Sequence, residues 1–201
     1  MRTFILLALH GKTTPEFSLD DLPGAGKLDT VCRTITNTLY VSQGIRNDTI
    51  MHVVLNGPKD PPRLITIDGS KLTTFSYDER SVAKTIQDAL AKSSGILLHE
   101  QRQLSPGIIV AKEPFETLVK QYAGRLYYLH KRGVDVRSSR FVDEPVFVFG
   151  DIGGLPEKTE KLMKTLNAER ISLGPKMLFA SQCSVIIHNE LDRRAKANPS
   201  S

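Results

Sequence analysis

Apolar runs of strand length alternate along this chain with amphipathic stretches of helix length, and that rhythm predicts an α/β protein. Thr3-Phe-Ile-Leu-Leu-Ala-Leu9 is continuously apolar, as expected of a strand covered on both faces. From Leu28 to Gln43 the positions Leu28, Val31, Cys32, Ile35, Leu39 and Val41 recur at helical spacing, with Gly44 as the stop. Ile50–Leu55 is a second buried strand. Arg63–Ile67, Asp68-Gly69 and Leu72–Phe75 predict a hairpin around an Asp-Gly turn. Ser76–Ser93 predicts a helix, Ile108–Ala111 a strand, Pro114–Tyr122 a helix and Leu126–Leu129 a strand. The order predicts a mostly parallel sheet with a β-hairpin extension.

The richest pattern lies between Glu144 and Asp192. The apolar run Pro145–Phe149 stops at Gly150-Asp151-Ile152-Gly153-Gly154, and a helix is predicted over Glu157–Leu166. The run Arg170–Leu173 then stops at Gly174-Pro175, before a last helix beginning near Met177. Two successive strands thus end in glycine. At the carboxyl end of a strand in an open α/β sheet, glycine lets a ligand reach backbone N–H and C=O groups with no Cβ between. Tight strand-to-helix turns are the simpler use of the same glycines.

Composition narrows the picture little. The 201 residues hold 27 Lys and Arg against 22 Asp and Glu, a net charge of +5, which permits nucleic acid as a partner without requiring it. The charge is uneven: Thr117 to Val142 carries six bases, Lys120, Arg125, Lys131, Arg132, Arg137 and Arg140, against the single acid Asp135. No repeat and no linker-like tract divides the chain, so one domain over residues 1–201 is expected. Cys32 and Cys183 are far apart, and the five histidines show no metal-ligand spacing, which points to reduced thiols and no metal site. No stretch approaches a membrane span, and the apolar N-terminus is too short for a signal peptide, so a cytoplasmic protein is expected. Gly24-Ala-Gly26-Lys27 fails the phosphate-loop spacing, and the dinucleotide fingerprint is missing.

Asp29 and Arg33 stand four apart on one helix, close enough to pair. Arg33 is alternatively a base facing an anionic substrate. Asp78 and Glu79 open the next helix, where capping is the simplest role. Cys183 falls on the core or pocket side of the last helix.

As an ordered set the residues go further. Asp21-Leu-Pro-Gly24, Gly26-Lys-Leu-Asp29, Arg33, Ser42-Gln-Gly-Ile-Arg46, Asp78-Glu79, Ser105-Pro-Gly107, Phe149-Gly-Asp151, Leu173-Gly-Pro175, Cys183 and His188-Asn-Glu-Leu-Asp192 together resemble the archaeal tRNA pseudouridine-54 N1-methyltransferases, the TrmY family of the SPOUT superfamily. The resemblance covers nearly the whole chain. It implies a single SPOUT domain with a C-terminal trefoil knot at about 125–195, a homodimer, and S-adenosylmethionine held in the knot. General rules against threaded connections would have given an unknotted sheet. Carried onto this sequence, the resemblance implies cofactor contacts at Leu129, Gly150, Asp151, Leu173, Gly174 and Pro175, with Cys183 beside them. Many members have histidine where this chain has Ile152 and Gln182, so no imidazole role is expected there.

The implied partner is the T-loop of tRNA. Pseudouridine N1 must lose its proton as it attacks a methyl group, so in-line positioning and a proton acceptor are the chemical needs. Asp78 is the candidate base and Arg33 the candidate for holding phosphate or the ring anion. Lys131 to Arg140 is the candidate grip on the RNA backbone, and a buried target base must be unstacked. The alternatives are a SPOUT methyltransferase acting on rRNA pseudouridine, an RNA-binding protein of this fold without activity, and a small-molecule α/β enzyme.

Overall fold

A computed structural model of the chain describes residues 1–151 and 153–197. Its elements follow the expected alternation: β1 (Arg2–Ala8), α1 (Leu28–Leu39), β2 (Tyr40–Val41), β3 (Gly44–Ile45), β4 (Thr49–Leu55), β5 (Arg63–Asp68) and α2 (Glu79–Lys92). The second half adds β6 (Gln101–Ser105), β7 (Ile108–Ala111), α3 (Phe115–Lys120), β8 (Leu126–Asp135), β9 (Val146–Gly150), α4 (Glu157–Thr165), β10 (Glu169–Ser172) and α5 (Ala180–Ala197). Eight strands form one sheet in the order β10-β8-β9-β1-β4-β5-β7-β6. The four pairings from β10 to β4 are parallel. The three from β4 to β6 are antiparallel.

Strand periodicity explains the layers. In β1, Phe4, Leu6 and Ala8 enter one core with Leu28, Val31 and Ile35 of α1 and Ile187 of α5. Ile5 and Leu7 point the other way, into a second core with Leu118 and Val119 of α3 and Met163 of α4. The central strands are covered on both sides, which is why their sequences are continuously apolar.

Two expected elements differ. The turn after Asp68 forms, with Ser70 N and Oγ donating to Asp68 Oδ1, but residues 72–75 make no strand. β5 already has both edges filled, by β4 and β7, so no hydrogen-bonding edge remains for Leu72–Phe75. The antiparallel extension is instead built from β5, β7 and β6, with the β6–β7 hairpin turning at Gly107 (φ +80°). The helix from Leu28 ends at Leu39 rather than Gln43, and Tyr40 to Ile45 fold into the β2–β3 ribbon. Gly44 (φ +139°) serves that ribbon, while Arg46 N donates to Leu39 O at 2.7 Å.

β8 runs farther than the pattern predicts, into the basic segment. Arg170 of β10 faces Tyr128, yet the next residue, Ile171, faces Val134. Residues 129–133 therefore stand out of register as a bulge. Gly133 makes this possible: a Cβ there would lie 2.4 Å from the Ile171 carbonyl carbon.

Candidate functional site

Three segments meet at the carboxyl ends of the parallel strands: the 129–131 part of the bulge within β8, Gly150, Asp151 and Gly153 to Leu155 at and beyond the end of β9, and the 173–183 segment between β10 and α5. They enclose a cavity of about 540 Å³, within the range of small-molecule sites. Asp151 N donates to Leu7 O at 3.2 Å, which extends the sheet ladder into the turn. A Cβ on Gly150 would lie 2.1 Å from Gly154 O, so this turn closes only over glycine. Gly174 has φ +121° and would aim a Cβ into open space. Its bareness serves backbone conformation and leaves room above the loop.

All seven residues expected around the cofactor, Leu129, Gly150, Asp151, Leu173, Gly174, Pro175 and Cys183, line this one cavity. Ile152 falls outside the described residues. Gln182, at the other histidine position, closes the start of α5: its Oε1 accepts from Phe179 N at 2.9 Å and its own N donates to Phe179 O at 2.9 Å, a reciprocal cap. Cys183 is buried, and burial pushes its thiol up to about 11, so it is neutral in the physiological range.

Arg33 and Asp78 lie elsewhere, on α1 and at the start of α2. Arg33 pairs with Asp29 of its own helix and with Glu79 Oε1 at 3.1 Å. Asp78 caps α2, Oδ1 accepting from Ser81 N at 2.9 Å, and that bonding holds its carboxyl below the usual range. Neither lines the cavity.

The cavity also gathers residues that periodicity did not flag. His130 and Lys131 come from the bulge, Glu160 from α4, and Met177 and Phe179 from the approach to α5. His130 Nδ1 accepts from Arg132 N at 3.0 Å, which leaves Nε2 toward Glu160 Oε1 at 3.8 Å. Met177 and Phe179 are 77% and 64% exposed, so the apolar mouth opens to solvent. For His130 and Glu160 the only sequence signal was the basic run and a helix face; their meeting depends on the bulge.

The lining suits S-adenosylmethionine. Bare backbone at three strand ends offers hydrogen bonds to an adenine edge, apolar Leu129, Leu173 and Met177 can cover its faces, and the carboxylates Asp151 and Glu160 suit hydroxyls and positive charge. Among the described residues, no group of three or more His, Cys, Asp or Glu is placed to hold a metal.

Fold and cavity together define an open α/β protein built to take a nucleoside-type cofactor at its strand ends. The chain belongs to the family described as "Putative SAM-dependent RNA methyltransferase", which matches residues 1–196. It is 41% identical over 202 residues to a tRNA (pseudouridine(54)-N(1))-methyltransferase of Methanocaldococcus jannaschii, covering 96% of this chain and 98% of the relative. It is 39% identical over 198 residues to the same-named protein of Methanococcoides burtonii, covering 96% of each. Among solved structures, Archaeoglobus fulgidus Nep1 bound to S-adenosylhomocysteine superposes with a TM-score of 0.66 at 13% identity, over 96% of this chain and 99% of that one. That likeness bears on fold.

Proposed function

We propose that this protein transfers a methyl group from S-adenosylmethionine to N1 of pseudouridine 54 in the T-loop of tRNA. The observation that carries the reading is the convergence on one cavity of the seven residues that the resemblance implies around the cofactor, in a chain about 40% identical to enzymes of that name. S-adenosylmethionine, when bound, supplies an electrophilic methyl group. The protein's part is to hold the cofactor on the backbone at Gly150, Asp151 and 173–183, exclude water, and align the ring nitrogen.

The reading extends to one domain across the chain, with the knot at about 125–195, and to a cytoplasmic homodimer. The dimer is tied to the proposed catalytic roles. Arg33 and Asp78 do not line the cavity of their own chain, so the proposed roles of Asp78 as proton acceptor and Arg33 as holder of phosphate or ring anion require that they reach the site of a second copy. No described helix is long and apolar enough to cross a membrane.

Lys131 to Arg140 is assigned to the RNA backbone. Arg194 of α5 fixes part of this segment by donating to Ser139 O at 2.7 Å and Val136 O at 2.7 Å, while Arg132, Arg137 and Arg140 stay exposed. The test is methyl transfer from labelled S-adenosylmethionine to matched T-loop stem-loops carrying uridine or pseudouridine. Transfer to pseudouridine alone, located at N1 by mass spectrometry, is the expected result. Transfer to neither, with cofactor bound, moves the substrate to another RNA such as rRNA.

A further inference from the structure

The bulge at 129–133 has two sides. Its first residues line the cofactor cavity; its far end, Arg132, Gly133 and Val134, lines a second cleft of about 500 Å³, shared with β10 and the end of α4. Three cations meet there from three elements: Arg132 of β8, Lys164 of α4 and Arg170 of β10. Arg132 and Lys164 are exposed and Arg170 is half-buried. Among the described residues none of the three has a carboxylate partner, so their charge is open to a ligand. Glu169 is the acid of the lining. Tyr128 also lines the cleft, its buried hydroxyl facing the guanidinium of Arg170, which interacts with it. Cations from three elements thus converge on one cleft whose lining holds a single carboxylate.

We propose that this cleft receives a phosphodiester of the substrate RNA; the inference rests on RNA being the substrate and says where its backbone is held. Guanidinium forks match phosphate oxygens, and a lysine adds a mobile point charge. The position suits that task. Three residues of chain, at most about 10 Å, separate the cavity lining at Leu129 from the cleft lining at Arg132, so a phosphate anchored here fixes the strand next to the base being methylated. Sequence alone flagged only Arg132, because Lys164 and Arg170 lie outside the basic run and join it through the β8–β10 pairing.

The experiment measures affinity for a pseudouridine-containing T-loop stem-loop over a salt series, for the full chain and for Lys164→Gln, Arg170→Gln and the Lys164→Gln/Arg170→Gln double variant. Lys84→Gln serves as the control. S-adenosylhomocysteine affinity and melting temperature are read in parallel. The expected result is about tenfold weaker RNA binding in the double variant, with the slope of log K against log salt shallower by about 0.7–0.9 for each contact removed. Cofactor-analogue affinity and melting stay as in the control. Lys164→Gln alone, at an exposed position, keeps the test valid if Arg170 variants fold poorly. Unchanged RNA affinity and slope in every variant overturn the proposal, as does an equal loss of S-adenosylhomocysteine binding. An unaltered protein that binds no RNA overturns the proposed function as well, which separates the two failures.

Discussion

His188 Nε2 donates to the Thr38 carbonyl oxygen at 2.9 Å, tying the middle of α5 to the last turn of α1. The other ring nitrogen accepts from Arg2 Nη1 at 3.2 Å. The ring is therefore held neutral, and both faces of the pairing come from elements remote in sequence. Around it, Arg2 and Arg46 share Asp192 at 2.7 Å each. α5 carries Cys183 into the cavity, so this cluster sets the seat of that cavity wall.

That arrangement predicts acid sensitivity. Burial, with Arg46 and Arg2 beside it, lowers His188 to about 3, and burial lowers His52 to about 4. Unfolded histidines near 6.5 take up protons that the folded ones refuse, so stability falls as pH drops below about 6.5 toward these values. Between pH 8 and pH 5 each contributes a loss of about 2 kcal/mol. Urea midpoints across this range check it, and His188→Gln is expected to flatten the dependence. An unchanged pH slope in that variant would falsify the assignment.

Asp78 has two separable roles. Asn caps a helix as well as Asp does, so Asp78→Asn keeps the bond to Ser81 N while removing the proton acceptor. The expected outcome is an unchanged melting temperature and methyl transfer lowered by about a hundredfold or more. Full transfer in this variant leaves Asp78 as a cap only.

Gly150→Ala forces a Cβ against Gly154 O and is expected to open the turn. Calorimetric titration with S-adenosylhomocysteine is expected to show affinity weakened at least about tenfold, in line with local backbone strain of about 1–3 kcal/mol. Gly174→Ala meets no atom, but φ +121° imposes a comparable strain. Its binding loss is expected without a change in overall fold, read by circular dichroism.

Cys183, with its thiol near 11, is expected to react with iodoacetamide at pH 8 at least about a hundredfold more slowly than free cysteine. S-adenosylhomocysteine slows it further by filling the cavity. Peptide mapping over time reads both, and rapid alkylation indifferent to the analogue removes Cys183 from the cofactor wall.

Much of this protein was legible in its residues because local physics set it. The apolar runs at Thr3–Leu9, Ile50–Leu55 and Pro145–Phe149 could be little other than buried strands, and glycine after two strands announced places where backbone lies bare. The ordered motifs supplied the family, and with it the expectation that residues around Gly150 and Gly174 line one site, as they line one cavity. Tertiary structure decided what no local signal encodes. Leu72–Phe75 has strand composition but finds both edges of β5 taken. The bulge at 129–133 exists because Ile171 pairs with Val134 and Gly133 can lie against its backbone. That pairing brings His130 to Glu160 on one side and gathers Arg132, Lys164 and Arg170 on the other. Period and propensity act over a few neighbouring residues, whereas strand register is a choice among long-range pairings, settled only when the whole sheet is assembled.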